Sequence, residues 1–358
     1  MVLNGLHHER RGAEVAFESL AQQLGRFDDI DLTLFGVGEP RDGSPYDFVH
    51  VNRIDRSRLE WLPTMPLMRD AFAYEELTFI ASLARRYRPS DFDVTIGCGF
   101  PFTNLFLTRR GRRSARPRHV YVTENGDWPA RSDEAEYRWF RCDGLVCTNR
   151  EYFADNRKRW RSVEIPNGID VTRFRPGPPE RERLGLPSNV PLVVMVSAMV
   201  PYKRVLEAIP AVARISDACL VVAGDGELSD QVHASADELM PGRFRQVRLD
   251  SADMPALYRS ADAVLHMALF EPFGNVYIES VACGGSLVAH RNSSTEAILD
   301  GVDCELIDTD DSQAVTAAIE RAAETAPTVV PEAFRRRFDW ASLAGEYRSF
   351  LHEVVKDT

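Results

Sequence analysis

Short apolar runs recur along this chain with room for one helix between most neighbours, and the series is played through twice. In the first half the runs fall at 31–35, 48–51, 93–97, 119–123, 144–148 and 163–165, after a clipped opening run at 2–4 that ends in the turn at Gly5. In the second half they fall at 192–196, 219–223, 244–249, 263–267, 286–289 and 305–307. Runs this short and this continuously apolar suit parallel strands covered on both faces. The stretches between them include helical patterns at 12–24, 69–86 and 204–213, and a run to Thr325 capped by Asp311. Strands alternating with helices predict an α/β fold with parallel sheets.

A chain of 358 residues exceeds what one hydrophobic core usually serves, so two domains are expected. The series is interrupted by Pro166-Asn167-Gly168-Ile169-Asp170, then Phe174, then a proline-rich patch from Pro176 to Pro179, which reads as a crossover linker. This places one domain at 1–172 and a second at 173–338. The closing segment, 339–358, carries Leu343, Tyr347, Phe350, Leu351 and Val354 at helical spacing, so one of its faces must be buried.

Composition excludes several classes. Apolar residues make up 44% and charged residues 27%, with no apolar run of membrane-spanning length and no charged-then-apolar leader at the start, which predicts a cytoplasmic protein. The six cysteines show no C-x2-C pairing, so buried free thiols are expected rather than zinc or disulfides, and no metal site is assigned. A net charge of −11 argues against nucleic acid as a partner. The local exception is the run containing Arg109, Arg110, Arg112 and Arg113. It reads either as a solvated loop or as a docking point for the inner face of an anionic membrane or a phosphate-bearing acceptor.

The chemistry concentrates after the apolar run that ends at Ala268. There Glu271-Pro272-Phe273-Gly274-Asn275-Val276-Tyr277-Ile278-Glu279 sets two carboxylates eight positions apart around a glycine turn that opens a helix. Gly274 permits close backbone approach and Asn275 is a favoured N-cap, so free N–H groups and the positive end of a helix dipole would face a ligand there. A diphosphate suits that place. Glu279, one turn inside the helix, is placed to accept hydrogen bonds from a ribose diol, and Glu271 to orient a sugar. The plain alternative is a pair of solvated acids stabilising a helix start.

This segment resembles the E-x7-E signature, in its E-P-F-G form, of the retaining GT-B glycosyltransferases of family four, the glycosyl transferases group 1. The likeness extends to the N-G-I-D crossover at 167–170 and to 196–204, Val-Ser-Ala-Met-Val-Pro-Tyr-Lys-Arg. It implies two Rossmann-like domains facing across a cleft. The first would bind acceptor and receive the terminal helix, and the second would bind the nucleotide sugar. The resemblance implies transfer of a sugar from a UDP- or GDP-sugar to a glycan, lipid-linked or small-molecule acceptor, without a cofactor or metal. Lys203 matches the lysine that embraces the donor diphosphate, whereas Ala198 stands where an arginine is customary and Arg204 where a glycine is. Arg204 is therefore a candidate replacement for the missing cation.

On the same resemblance Glu271 and Lys203 are the catalytic candidates. The donor-binding candidates are Glu279, Phe273, Gly274, Asn275, Arg204, Leu249 near the base-reading strand end, and Gly224 of the Ala-Gly-Asp-Gly turn. In the first domain Gly12 follows the family's glycine loop, with Arg11 replacing a glycine. Glu124 or Asn125 stands where a histidine is usual. His119, at the beginning of its strand, reads as structural. Front-face displacement, the mechanism such enzymes are taken to use, requires no dedicated nucleophile. A sugar-nucleotide epimerase and a non-catalytic sugar-nucleotide binder remain as alternatives.

Overall fold

The structure is a computed structural model, and it describes residues 1–9, 11–65, 68, 70–109, 116–132, 137–325 and 329–356. The chain divides into two compact units, Met1–Asn167 with Trp340–Thr358, and Gly168–Asp339.

In the first unit the strands are β1 (Thr33–Gly36), β2 (Asp47–His50), β3 (Val94–Gly97), β4 (Arg118–Val122), β5 (Gly144–Cys147) and β6 (Ser162–Glu164), all paired in parallel. The opening run is reduced to a parallel bridge at Val2, which touches Phe35 of β1 on one side and Gly97 of β3 on the other. It ends there because Asn4 is drawn into side-chain hydrogen bonds with Glu75 and Arg53, and because Gly5 O takes the amides of His8 and Glu9 in a turn. Val2 nevertheless completes the sheet, whose order is β2, β1, the Val2 segment, β3, β4, β5, β6. The helices of this stretch are α1 (Gly12–Leu24), α2 (Ala71–Leu83), α3 (Phe102–Thr108), α4 (Trp128–Arg131) and α5 (Arg150–Asn156). α2 is shorter than the pattern at 69–86. Asp70 caps it by accepting from Ala73 N, and Arg69 lies outside the described residues.

In the second unit the strands are β7 (Leu192–Val196), β8 (Cys219–Ala223), β9 (Phe244–Val247), β10 (Ala263–His266), β11 (Leu287–His290) and β12 (Glu305–Ile307). Their order is β12, β11, β10, β7, β8, β9, again all parallel. The intervening helices are α6 (Val205–Ala213), α7 (Ser229–Leu239), α8 (Met254–Ser260), α9 (Asn275–Ala282), α10 (Ser293–Ile298), α11 (Ser312–Glu324) and α12 (Glu332–Arg337). β9 stops two residues before the run at 244–249 does, as the chain turns into a short 3-10 turn at Ser251–Asp253. The other strands differ from their apolar runs by one or two residues at the ends, or not at all.

The last helix, α13 (Trp340–Lys356), belongs to the first unit. Its Leu343, Tyr347 and Phe350 share one core with Phe17, Leu20 and Leu24 of α1. Each large apolar side chain buried this way stabilises the unit by about 1.5–3 kcal/mol. The second unit has its own cores on the two faces of its sheet, which is why its central strands are apolar at consecutive positions. Both sheets reverse direction once. In the second unit the reversal lies between β7 and β10, and in the first between the Val2 segment and β3. In open parallel sheets ligands collect beyond the carboxyl ends of strands at such a switch point.

Candidate active site

The switch point of the second unit brings Lys203 and Glu271 together. β7 ends at Val196, and the chain leaves it through a 3-10 turn, Pro201–Lys203. β10 ends at His266, and the loop that follows carries Glu271. The Lys203 ammonium and the Glu271 carboxylate form an ion pair through Oε1, across 68 positions of sequence. Glu271 is 8% exposed. Burial works to raise its pKa, but the hydrogen bond from His266 and the charge of Lys203 outweigh it and hold the carboxyl below the usual range.

The helix start beyond Glu271 differs from the sequence pattern in one respect. Gly274, not Asn275, is the N-cap of α9, and Asn275 is its first helical residue. Gly274 has φ +84°, and a Cβ there would stand 2.3 Å from the Tyr277 ring. Both facts demand glycine. Gly274 has no side chain to cap α9, whose start lies just beyond the loop that carries Glu271. The Phe273 ring is 4% exposed and packs edge-on against Phe338, which confines any ligand contact at this position to its backbone.

Glu279 is half-buried on α9 and accepts a hydrogen bond from Tyr258 Oη at 2.7 Å. Burial pushes its pKa up to about 7, against the hydrogen bond from Tyr258 and the charge of Arg173. Arg204 takes the left-handed conformation, φ +58°, so α6 begins one residue later than its pattern. Its guanidinium turns to Thr309 Oγ1 at 3.3 Å and to Asp310 at 2.5 Å. As a replacement for the missing arginine it is thus already committed to a carboxylate. Gly224 is explained by packing. With φ +155° it lies against the end of β7, and a Cβ would stand 2.0 Å from Ser197 O. Leu249 is half-buried in the loop after β9, beside Val247.

In the first unit Gly12 opens α1 behind Arg11, whose guanidinium pairs with Glu9 at 2.7 Å and Glu14 at 3.3 Å. Glu124 follows β4 and accepts from Asn167 Nδ2 at 2.9 Å. Burial lifts its pKa to about 7, against the Asn167 hydrogen bond, and the charge of Glu14 adds to the rise. Asn125 is exposed, with its amide 3.9 Å from Cys98 Sγ. His119 is 1% exposed, shares a hydrogen bond of 3.0 Å with Thr95 and is held by burial to a pKa of about 3, which suits a structural role. Arg109 stacks over Phe106, while Arg110, Arg112 and Arg113 lie outside the described residues.

Two partners escaped the sequence reading. His266 is a histidine at the end of an apolar run, five positions before Glu271, and that spacing was its only signal. Asn167 lay inside the crossover element and showed no sign of its bond to Glu124. Among the described residues no group of three or more His, Cys, Asp or Glu is arranged to hold a metal ion, and no helix is long and apolar enough to cross a membrane.

Comparison with known proteins bears on the fold and the family. Residues 178–336 match the family described as Glycosyl transferases group 1. A stretch of 175 residues, 43% of this chain, is 31% identical to 45% of a GDP-mannose-dependent alpha-(1-6)-phosphatidylinositol monomannoside mannosyltransferase of Mycolicibacterium smegmatis. The matches to this and to a lipopolysaccharide core glycosyltransferase of Rhizobium meliloti each span under half of the relative's length. Sucrose-phosphate synthase of Thermosynechococcus elongatus superposes over 100% of this chain and 98% of its own, with a TM-score of 0.78 at 16% identity. Anabaena HepE, solved in complex with UDP-glucose, superposes over 98% and 99%, with a TM-score of 0.73 at 16% identity. The chain has the GT-B fold, two Rossmann-like α/β domains with parallel sheets, and is related to the group 1 glycosyltransferases.

Proposed function

We propose that this chain is a retaining glycosyltransferase that moves a hexose-type sugar from a nucleotide-diphosphate sugar to an acceptor without a metal. The observation that carries the reading is the meeting of Lys203 and Glu271 at the switch point of the second sheet, ahead of a glycine-opened helix start. A departing diphosphate needs its charge neutralised as the glycosidic bond breaks, and in this site Lys203 and the N–H groups at the start of α9 are the groups to do it. Glu271 orients hydroxyls of the sugar, Glu279 takes the ribose diol, and the backbone around Gly224 and Leu249 borders the base. In the first unit Gly12, Glu124 and Asn125 are proposed to face the acceptor.

The donor is a UDP- or GDP-sugar. The mannosyltransferase relative is GDP-mannose-dependent by name, and the superposable HepE is a complex with UDP-glucose. The acceptor is a glycan, a lipid-linked sugar or a small molecule. A reaction fed by nucleotide sugars fits the cytoplasm. The arginine run that begins at Arg109 is proposed as a contact with the inner membrane face where the acceptor is lipid-linked. A second reading, a non-catalytic sugar-nucleotide binder, draws on Ala198 and on the commitment of Arg204 to Asp310.

Calorimetric titration with UDP and GDP, followed by donor hydrolysis and transfer assays of the wild type and Glu271→Gln, separates these readings. An enzyme binds one nucleotide and loses about a hundredfold in turnover in the variant, as removal of a charge-orienting group does. A binder shows affinity without turnover in either protein. Absence of both sinks the proposal.

A further inference from the structure

Glu271 is held by a residue that none of the motifs includes. His266, the last residue of β10, is 2% exposed, and its Nε2 lies 2.9 Å from Glu271 Oε1. An ionised carboxylate only accepts hydrogen bonds, so this ring nitrogen carries the hydrogen and donates it. Lys203 reaches the same oxygen. With both donors converging on Oε1, Oε2 is the oxygen available to a hydroxyl of a donor sugar. The other side of the ring is occupied as well. His266 stands edge-on to Tyr277 with centroids 5.0 Å apart, and Tyr277 fills the space where a Cβ on residue 274 would go. One imidazole therefore touches both the carboxylate and the ring that seats the start of α9.

We propose that His266 is a positioning residue for sugar transfer, fixing Glu271 through Nε2 so that its second oxygen meets the sugar in one orientation. The proposal rests on the glycosyltransferase reading above. A histidine that merely filled the core would need neither a hydrogen bond to Glu271 nor a place beside the helix start. A leucine of similar bulk would then serve as well.

The test compares His266→Leu, which keeps bulk and removes the donor, with His266→Gln, whose amide nitrogen reaches the position of Nε2. UDP and GDP affinities are measured by calorimetry, and kcat and KM with UDP-glucose and GDP-mannose, on the full chain. In His266→Leu, kcat falls about thirty- to a hundredfold, the penalty for a misplaced catalytic group, while the nucleotide dissociation constant stays within about threefold, because the phosphates and ribose are held elsewhere. His266→Gln recovers most of the lost kcat. Wild-type turnover in His266→Leu overturns the proposal, as does an equal loss in both variants with nucleotide binding intact, and the glycosyltransferase reading survives either result. If the wild type binds neither nucleotide and turns over neither donor, that reading falls and the role of His266 with it.

Discussion

Glu279 gives the structure a pH signature that can be read without any substrate. Its carboxyl moves from an ordinary value of 4.5 to about 7 in the folded chain because burial disfavours the charged form. Below pH 4.5 both states carry the proton and the stability it supports is fully present. Between 4.5 and 7 the unfolded chain ionises while the folded one keeps its proton, so stability falls as pH rises. Above 7 both are ionised and the loss is complete. At about 1.4 kcal/mol per tenfold difference in proton affinity, the loss is about 3 kcal/mol in all, most of it between pH 5 and pH 8. Glu279→Gln does not titrate, so the stability of the variant relative to wild type rises by most of that amount over this range. Glu124 and the other carboxyls titrate in both proteins and cancel. Urea unfolding at pH 5, 6, 7 and 8 measures the difference. All five tryptophans, Trp61, Trp128, Trp139, Trp160 and Trp340, lie in the first unit. Tryptophan emission therefore follows that unit, whereas circular dichroism follows both. If the units unfold separately, the effect belongs to the transition that emission does not see. A wild-type-minus-variant difference that stays constant from pH 5 to pH 8 refutes the placement of Glu279 in a desolvated site.

Lys203→Met removes the cation proposed for the diphosphate and leaves Glu271 to His266. UDP or GDP affinity falls about ten- to a hundredfold, the worth of a hydrogen bond to a charged group, while affinity for the nucleoside alone holds. Calorimetry with nucleotide and nucleoside in parallel checks this, and an equal fall in both counts against the assigned role. Gly274→Ala forces a side chain into φ +84° and its Cβ against the Tyr277 ring, whereas Gly301→Ala, at φ +75°, meets open space and pays only for the backbone. Thermal unfolding should show the Gly301 variant losing about 1 kcal/mol and the Gly274 variant distinctly more, with nucleotide affinity lost in the latter alone.

The elements were legible because each leaves a local mark. β7, β8 and β12 coincide with their apolar runs since both faces of the sheet are covered, and α1 and α11 are bounded by patterns only a few residues long. Where boundaries moved, one backbone torsion or one capping side chain decided it. Arg204 at positive φ delays α6, and Gly274, by reversing the chain before Asn275, takes the capping position itself. Such torsions are selected by packing around them. The Tyr277 ring that excludes a Cβ from residue 274 is invisible to a reading that weighs cap preferences one residue at a time.

The site was legible to the extent that strand order was. Lys203 and Glu271 each follow an apolar run and each precede a helix start, but nothing local says that β7 and β10 are neighbours, because β8 and β9 come between them in sequence and two strands flank the pair on each side in the sheet. Once they adjoin, residues leaving their carboxyl ends have to share the crevice at the reversal, and an ammonium 68 positions from a carboxylate becomes its ion-pair partner. His266 follows from the same placement. As the last residue of the strand it points into the core at one end of its ring and reaches the loop at the other, so a position that reads as one more buried residue becomes a hydrogen-bond donor to the site. The first sheet repeats the arrangement with the Val2 segment as its pivot, and there too Gly12 and Glu124 follow strand ends at or near the reversal. In this fold the candidate site residues are brought together by topology first and by sequence spacing only within each strand-to-helix turn.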